Sequence, residues 1–334
     1  MKERKAPRQA YILVRGEYDN QGEKVDRATP KMLPPMAASL PNDRLGLAHW
    51  LTAPENPLVA RVTVNRFWQQ LFGVGLVKTS EDFGSQGEWP SHPELLDYLA
   101  HRFVADGWNV KTFMRLLVTS ETYKQSSAAG PAAYAVDPEN RRLARGPRFR
   151  MDAELLRDQA LYASGQLVEK LYGRSVKPPQ PPGLWKSVTM RASKPRTFTP
   201  DKGQDTLRRS LYTYWKRAYP PPAMTVFNAP NRETCTARRE RTNTPLQALV
   251  LMNEQQFFAA SKELARLATQ ADGTPEIRIN WMFETLTARL PSPQETKHVT
   301  QTLALYKANG YTDEHAWTMI ANALLNLDEV KTKQ

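Results

Sequence analysis

The sequence predicts a mainly α protein: a multi-helix orthogonal assembly with a minor β element and a long proline-rich basic loop. Three observations predict it. Apolar residues recur at helical spacing through most of the chain. Capping residues followed by proline mark several helix starts. Only two short stretches read as strands, residues 10–16 (AYILVRG) and 208–219 (RRSLYTYWKRAY), the second rich in Tyr, Trp and Thr.

Residues 1–42 read as an extended arm. A first helical part, 43–172, begins with DRLGLAHWLT at 43–52 and PLVARVTVNRFWQQLF at 57–72. In the second of these Asn56 is the expected cap and Pro57 the first helical residue, where a missing N–H costs nothing. Leu58, Val62, Trp68, Leu71 and Phe72 supply its apolar stripe. Ser91 and Glu94 have capping-box spacing ahead of PELLDYLAHRFVADG. VKTFMRLLVTSETY follows, then a longer helix from about Asp152 to Tyr172. Residues 173–241 form a basic, proline-rich insert with the second strand candidate. Its first part, 173–205, lacks periodicity, with Leu184, Trp185 and Phe198 as apolar anchors. The C-terminal part, 242–334, reads as helices at 245–269, 275–289, 293–308 and 313–327, three of them opened by Thr-Pro or Ser-Pro. Residues 43–334 are expected to form one compact unit.

Of 334 residues, 40% are hydrophobic and 24% charged, an ordinary globular balance. The longest apolar runs are far too short to span a bilayer. The N-terminus MKERKAPRQAYILV lacks the apolar core and cleavage site of a signal peptide, so Met1 reads as a start cut from something longer. A single cysteine excludes an intramolecular disulfide, a CxxC pair and a haem-attachment motif, and no metal site is expected. The net charge of +12 is concentrated: residues 173–241 hold fifteen Lys and Arg against four Asp and Glu. Concentrated charge points to an anionic partner, whereas scattered charge speaks only to solubility.

That segment ends in FNAPNRETCTARRERTNTPLQAL, residues 227–249. Arg232, Arg238, Arg239 and Arg241 precede a helix start marked by Thr244 and Gln247, a capping box with Pro245 at its first position. With Asn243 and Thr244 they form a candidate anion cradle, since a helix N-terminus presents free N–H groups and partial positive charge. The alternative is that Arg238 and Arg241 pair with acids elsewhere in the fold. Cys235 sits among these charges but has no base within sequence reach. Weaker catalytic candidates are Asp82 and Glu88, in a glycine-containing loop that also reads as turn and cap chemistry, and Glu154. Glu154, Arg157 and Asp158 have the spacing of an ion-pair ladder that needs no function. Arg61, Asn65 and Trp68 share a helical face, and with His92 they make a secondary polar site or a satisfied polar contact. No G-x-S-x-G, HExxH, P-loop or G-x-G-x-x-G pattern occurs.

RGEYDNQGEKV, NRFWQQLFGVGLVKTSEDFGSQGEWPSHPELLDYLA and TNTPLQALVLMN closely resemble a planctomycete-type C-terminal domain of unknown function. The resemblance runs from about residue 8 to ALLNLDE. It implies a larger extracytoplasmic protein that often carries a cytochrome c-like domain and a companion domain of unknown function. Its neighbours are linked to breakdown of polysaccharides and sulfated glycans. Any haem belongs, by that resemblance, to another domain, and no cofactor is expected here.

Three functions follow. The first is a non-catalytic module binding an acidic or sulfated polysaccharide, or another polyanion, through residues 173–241. The second is a glycan-acting enzyme, with Asp82, Glu88 or Glu154 as acid or base and the arginines clamping sulfate or carboxylate. Nucleic-acid binding, from Tyr and Trp interleaved with cations in RRSLYTYWKR, ranks last.

Overall fold

The computed structural model describes residues 8–188, 192, 197–217, 219–270 and 273–333. Among them, fifteen α-helices and two two-stranded sheets make the chain mainly α with a minor β element. Contacts divide it into two units, Met1–Gln125 with Ala132–Ala144, and Ser126–Pro131 with Arg145–Gln334. The sequence-based limits at 172 and 241 both fall inside the second unit, and 43–334 is shared between the two.

In the first unit, β1 (Ala10–Leu13) and β2 (Gln21–Val25) form an antiparallel hairpin. The strand expected over 10–16 stops at Leu13, because Arg15 and Gly16 take positive φ (55° and 78°) in a tight turn. Helix α1 (Arg44–Leu51) is capped by Asp43, which accepts from the Leu45 and Gly46 amides. Asn56 accepts from the Leu58 and Val59 amides at 3.1 and 3.3 Å, but α2 (Val59–Phe72) begins two residues after the expected Pro57, with Leu58 in the cap position. Then come α3 (Pro93–Ala105), α4 (Val110–Val118), α5 (Glu121–Lys124) and α6 (Pro131–Val136). The Ser91–Glu94 box does not form. Pro93 takes the first helical position, which makes His92 the cap residue and leaves the Ser91 amide donating to the Leu76 carbonyl. The core joins Val64, Trp68 and Phe72 of α2 to Leu99 and Phe103 of α3 and Phe113 of α4.

In the second unit, β3 (Phe149–Arg150) leads into α7 (Ala153–Ala163). This helix ends well short of Tyr172. The Ser164 hydroxyl donates to the Ala160 carbonyl, Gly165 turns left-handed (φ 67°), and the Gln166 amide bonds back to Leu161. Within the expected loop 173–205, residues 189–191 and 193–196 lie outside the described residues. The described part includes α8 (Leu184–Val188) and buries Trp185 against Phe198, rings 5.1 Å apart. The described residues of 208–219, all but 218, form no strand. They make a short 3-10 turn, Ser210–Tyr212, and single bridges from Arg208 to Val168, from Thr213 to Val176 and from Lys216 to Tyr219. Helix α9 (Pro222–Val226) precedes α10 (Pro245–Asn253) and α11 (Gln255–Gln270), which divide the predicted 245–269 at an extended Glu254. Next are α12 (Pro275–Thr287), α13 (Pro293–Ala308), α14 (Asp313–Leu325), α15 (Asp328–Lys331) and β4 (Thr332–Lys333), the last paired with β3. The core centres on α11 and α14, where Ala260, Leu264 and Ala268 meet Ala316, Trp317 and Ala321. The alanines at 260, 268, 316 and 321 let the two backbones approach closely, and Leu264 and Trp317 fill the space beside them.

One charge network near α13 sets an acid limit. Arg289 donates to both Glu295 and Glu329, while Glu295 also completes a capping box with Ser292. The hydrogen bonds from Arg289 outweigh burial and, with the Ser292 bonds, bring the Glu295 carboxyl to about 2 from an ordinary 4.5. A depressed carboxyl contributes stability above its unfolded value and loses it as pH falls through the folded one. Glu295→Gln should therefore lower stability at pH 6 and converge on wild type as pH falls from about 4.5 to about 2. Urea titrations across that range test it, and an unchanged gap at pH 3 would contradict it.

Candidate functional site

The arginine loop meets anions from within the fold. Thr244 and Gln247 form the predicted capping box, so the Thr244 hydroxyl is engaged by the helix itself. Arg239 makes a two-pronged pair with Glu154 at 2.6 and 3.2 Å and approaches Asp152 at 3.5 Å. Arg241 lies 3.9 Å from Asp152 and stacks over Phe149 at 4.2 Å. Arg232 stacks over Trp215 at 4.3 Å, and Arg238, Asn243 and Cys235 are exposed. Burial pushes the Glu154 carboxyl up, but the hydrogen bonds and charge of Arg239 outweigh it and hold the group below its ordinary value.

A hub that sequence reading missed holds this loop in place. Asn228, at φ 61°, accepts from Arg150 at 2.6 Å and from the Thr242 hydroxyl at 3.0 Å. Arg150 is buried and also donates to the Thr242 and Phe227 carbonyls. Gln247 donates to the Val226 carbonyl at 2.9 Å. Asn-Ala-Pro at 228–230 was a usable turn signal, since Asn tolerates the left-handed region.

The catalytic candidates do not assemble. Asp82 accepts from the Gly84 amide at 2.7 Å, an Asx turn, and Glu88 is exposed with its amide held by Thr79. Both lie in the first unit, whereas Glu154 lies in the second. The expected ladder of Glu154, Arg157 and Asp158 is not formed as such: Glu154 turns to Arg239, and Arg157 reaches Asp158 only at 3.6 Å. The secondary face separates as well. Arg61 pairs with Asp97 at 2.7 Å, Asn65 is fully buried against the Val77 backbone, and Trp68 stacks on Phe72 at 3.9 Å. His92 bonds its neighbour Ser91.

Within the second unit the basic insert builds a cleft of about 460 Å³. Pro178, Pro179, Pro181, Pro221 and Pro222 line its walls together with Met224, Phe227 and Phe257. Prolines present ring carbons and no amide donor, so these walls are apolar and stiff. Arg208, almost fully buried, ties the insert together by donating to the carbonyls of Lys170, Tyr172 and Arg174. One residue along from the cleft wall, Lys177 lies 5.2 Å over Tyr214, and Lys216 lies 4.6 Å over Trp185. The two rings are 6.1 Å apart. Among the described residues no helix is long and apolar enough to cross a membrane.

A family model described as PSD1, protein of unknown function (DUF1553), matches residues 43–303. No curated protein and no solved structure matches the chain. The family match takes in α1 to α12 and most of α13, and with them the arginine loop and the proline-walled cleft. The chain belongs to the PSD1 (DUF1553) family of proteins of unknown function.

Proposed function

We propose that the domain is a non-catalytic module that binds an anionic ligand, an acidic or sulfated polysaccharide, as part of a larger extracytoplasmic, haem-associated protein. The supporting observation is the pair of lysines on paired rings, Lys177 over Tyr214 and Lys216 over Trp185, in the segment that carries most of the net charge. Arg239 and Arg241 already face Asp152 and Glu154, which moves the expected contact from the arginine loop to these lysines. Ammonium groups over aromatic faces hold sulfate or carboxylate beside a surface that also accepts the apolar face of a sugar ring. Asp82 sits in a turn and Glu154 in an ion pair, an arrangement that favours binding over acid–base chemistry. The resemblance to C-terminal domains of extracytoplasmic proteins supplies the setting.

Binding to heparin, dextran sulfate, polygalacturonate and single-stranded DNA, titrated with salt, tests this. Affinity for the sulfated chains should fall steeply as salt rises. The double variant Lys177→Ala, Lys216→Ala should bind them about tenfold more weakly, with the fold intact, because both cations are removed from a shared surface. No binding to any polyanion at low salt overturns the reading. Tighter binding to DNA than to every glycan favours nucleic acid instead, and equal binding by the double variant removes the lysines from the account.

A further inference from the structure

The proline-walled cleft has a chemistry of its own, distinct from the charged surface beside it. Its volume of about 460 Å³ falls within the span of small-molecule sites, roughly 300–1,000 Å³. The polar groups in its wall divide unevenly. Arg157 is its charged donor, and that guanidinium is already committed. Nε donates to Gln256 at 2.7 Å, one terminal nitrogen donates to the Arg208 carbonyl and the Ser210 hydroxyl, and the other donates to the Thr206 carbonyl.

The acceptors are unfilled. Thr213 is 6% exposed, and its hydroxyl oxygen is buried with no hydrogen-bond partner. The Gln180 side-chain oxygen is buried in the same condition. Glu254 caps α11 with one carboxylate oxygen, which accepts from the Gln256 and Phe257 amides at 2.8 and 3.2 Å. Its other oxygen makes no hydrogen bond among the described residues. A buried oxygen left without a donor costs about 1–3 kcal/mol, so Thr213 and Gln180 form a standing demand for donors, with the second oxygen of the half-buried Glu254 beside them.

We propose that this cleft is a binding site for a compact, uncharged, mainly apolar molecule carrying N–H or O–H donors. The walls of Pro178, Pro179, Pro221, Pro222, Phe227 and Phe257 take its apolar body. Thr213, Gln180 and Glu254 take its donors. An anion is disfavoured by the Glu254 carboxylate inside the cleft. A cation is disfavoured by Arg157 in the same wall and by a net charge of +12. This ligand is separate from the polyanion proposed above, and neither proposal requires the other.

Indole and benzofuran, nearly identical in shape but differing by one N–H, are the probes, with binding read by ligand-observed NMR and calorimetry on the whole chain. Indole should bind about tenfold tighter than benzofuran, the ratio expected when one buried acceptor gains or lacks its donor. Thr213→Val together with Gln180→Leu should reduce that ratio, Glu254 remaining as the one acceptor of the three. Ala223→Phe, which fills the cleft, should weaken both probes. Thr213→Val alone should leave the melting temperature unchanged or raised, because it removes an unsatisfied hydroxyl at little change in shape. Equal binding of the two probes to wild type, an undiminished ratio in the double variant, or no binding at millimolar concentration would each overturn the proposal. The wild-type comparison decides even where a variant fails to fold.

Discussion

Replacing Arg157 by methionine is expected to destabilise the second unit by about 3–5 kcal/mol. The side chain is 7% exposed and donates in three directions from α7. It reaches Gln256 on α11 and the backbone of Thr206 and Arg208, while Asp158 beside it accepts from the Ser210 amide at 2.7 Å. Methionine fills much of the volume but supplies no donor. The Thr206 and Arg208 carbonyls, the Gln256 amide oxygen and the Ser210 hydroxyl oxygen would then each lose a donor, and Asp158 would lose a counter-charge. Burial lowers the Arg157 pKa, with Asp158 and Glu254 opposing, so the charge is held by these same neighbours. Lysine keeps the charge but not the fork, and Arg157→Lys should recover less than half of the loss. Denaturant titration gives the magnitude. Hydrogen exchange should show its largest gain over 206–210 and 255–257, and a change below about 1 kcal/mol would remove Arg157 as the tie between these segments.

Arg157 also shows where sequence reading stops. Its spacing from Glu154 and Asp158 suggested a surface ladder, because i, i+3 and i+4 positions are neighbours on any helix. What the pattern lacks is the partner 51 residues away that turns the guanidinium inward. The same limit explains residues 208–219. Tyr, Trp and Thr marked them for pairing, but their partners are isolated positions, Val168 and Val176, so bridges form and a strand does not. Local chemistry was legible wherever it was self-contained. Thr-Pro-Leu-Gln at 244–247 and Ser-Pro-Gln-Glu at 292–295 both close as capping boxes. Ser-His-Pro-Glu at 91–94 has the same box spacing but fails, because its proline stands one position later and shifts the cap to His92. The anion cradle was half legible: the arginines do meet anions, but Asp152 and Glu154 stand 80 or more residues upstream. The cleft was not legible at all, since Pro178, Pro179, Pro221 and Pro222 read in sequence only as breaks between elements.

In the first unit, Asn65→Ala is expected to cost about 2–4 kcal/mol, several times the cost of Arg61→Ala one helical turn away. Both residues lie on one face of α2, yet their surroundings differ. Arg61 pairs with Asp97 across side chains that are 34% and 58% exposed, where water screens the charges and such a pair contributes about 0.5 kcal/mol. Asn65 is 0% exposed. Its amide donates to the Val77 carbonyl at 3.0 Å and to Ser80 at 3.1 Å, and its oxygen accepts from the Val77 amide at 2.9 Å. Asn65 thereby mimics a passing strand and satisfies both backbone groups of a residue that is 3% exposed. The turn has no room to compensate, because a Cβ at Gly75 would lie 2.5 Å from the Val77 carbonyl and 2.6 Å from the Asn65 amide. Alanine leaves the Val77 N–H buried and unpaired and its C=O with only a long 3.4 Å contact from the Ser80 hydroxyl, and it removes the donor to the Ser80 oxygen, whose own hydroxyl donates to Gln69. Aspartate restores the acceptor but sets its charge against the Val77 carbonyl, so Asn65→Asp should recover little. Hydrogen exchange over residues 74–92 reads the effect, since the loop carrying Asp82 and Glu88 hangs from this anchor. Equal costs for Asn65→Ala and Arg61→Ala would mean that burial does not separate them, and that the face acts as the single polar patch its spacing suggests.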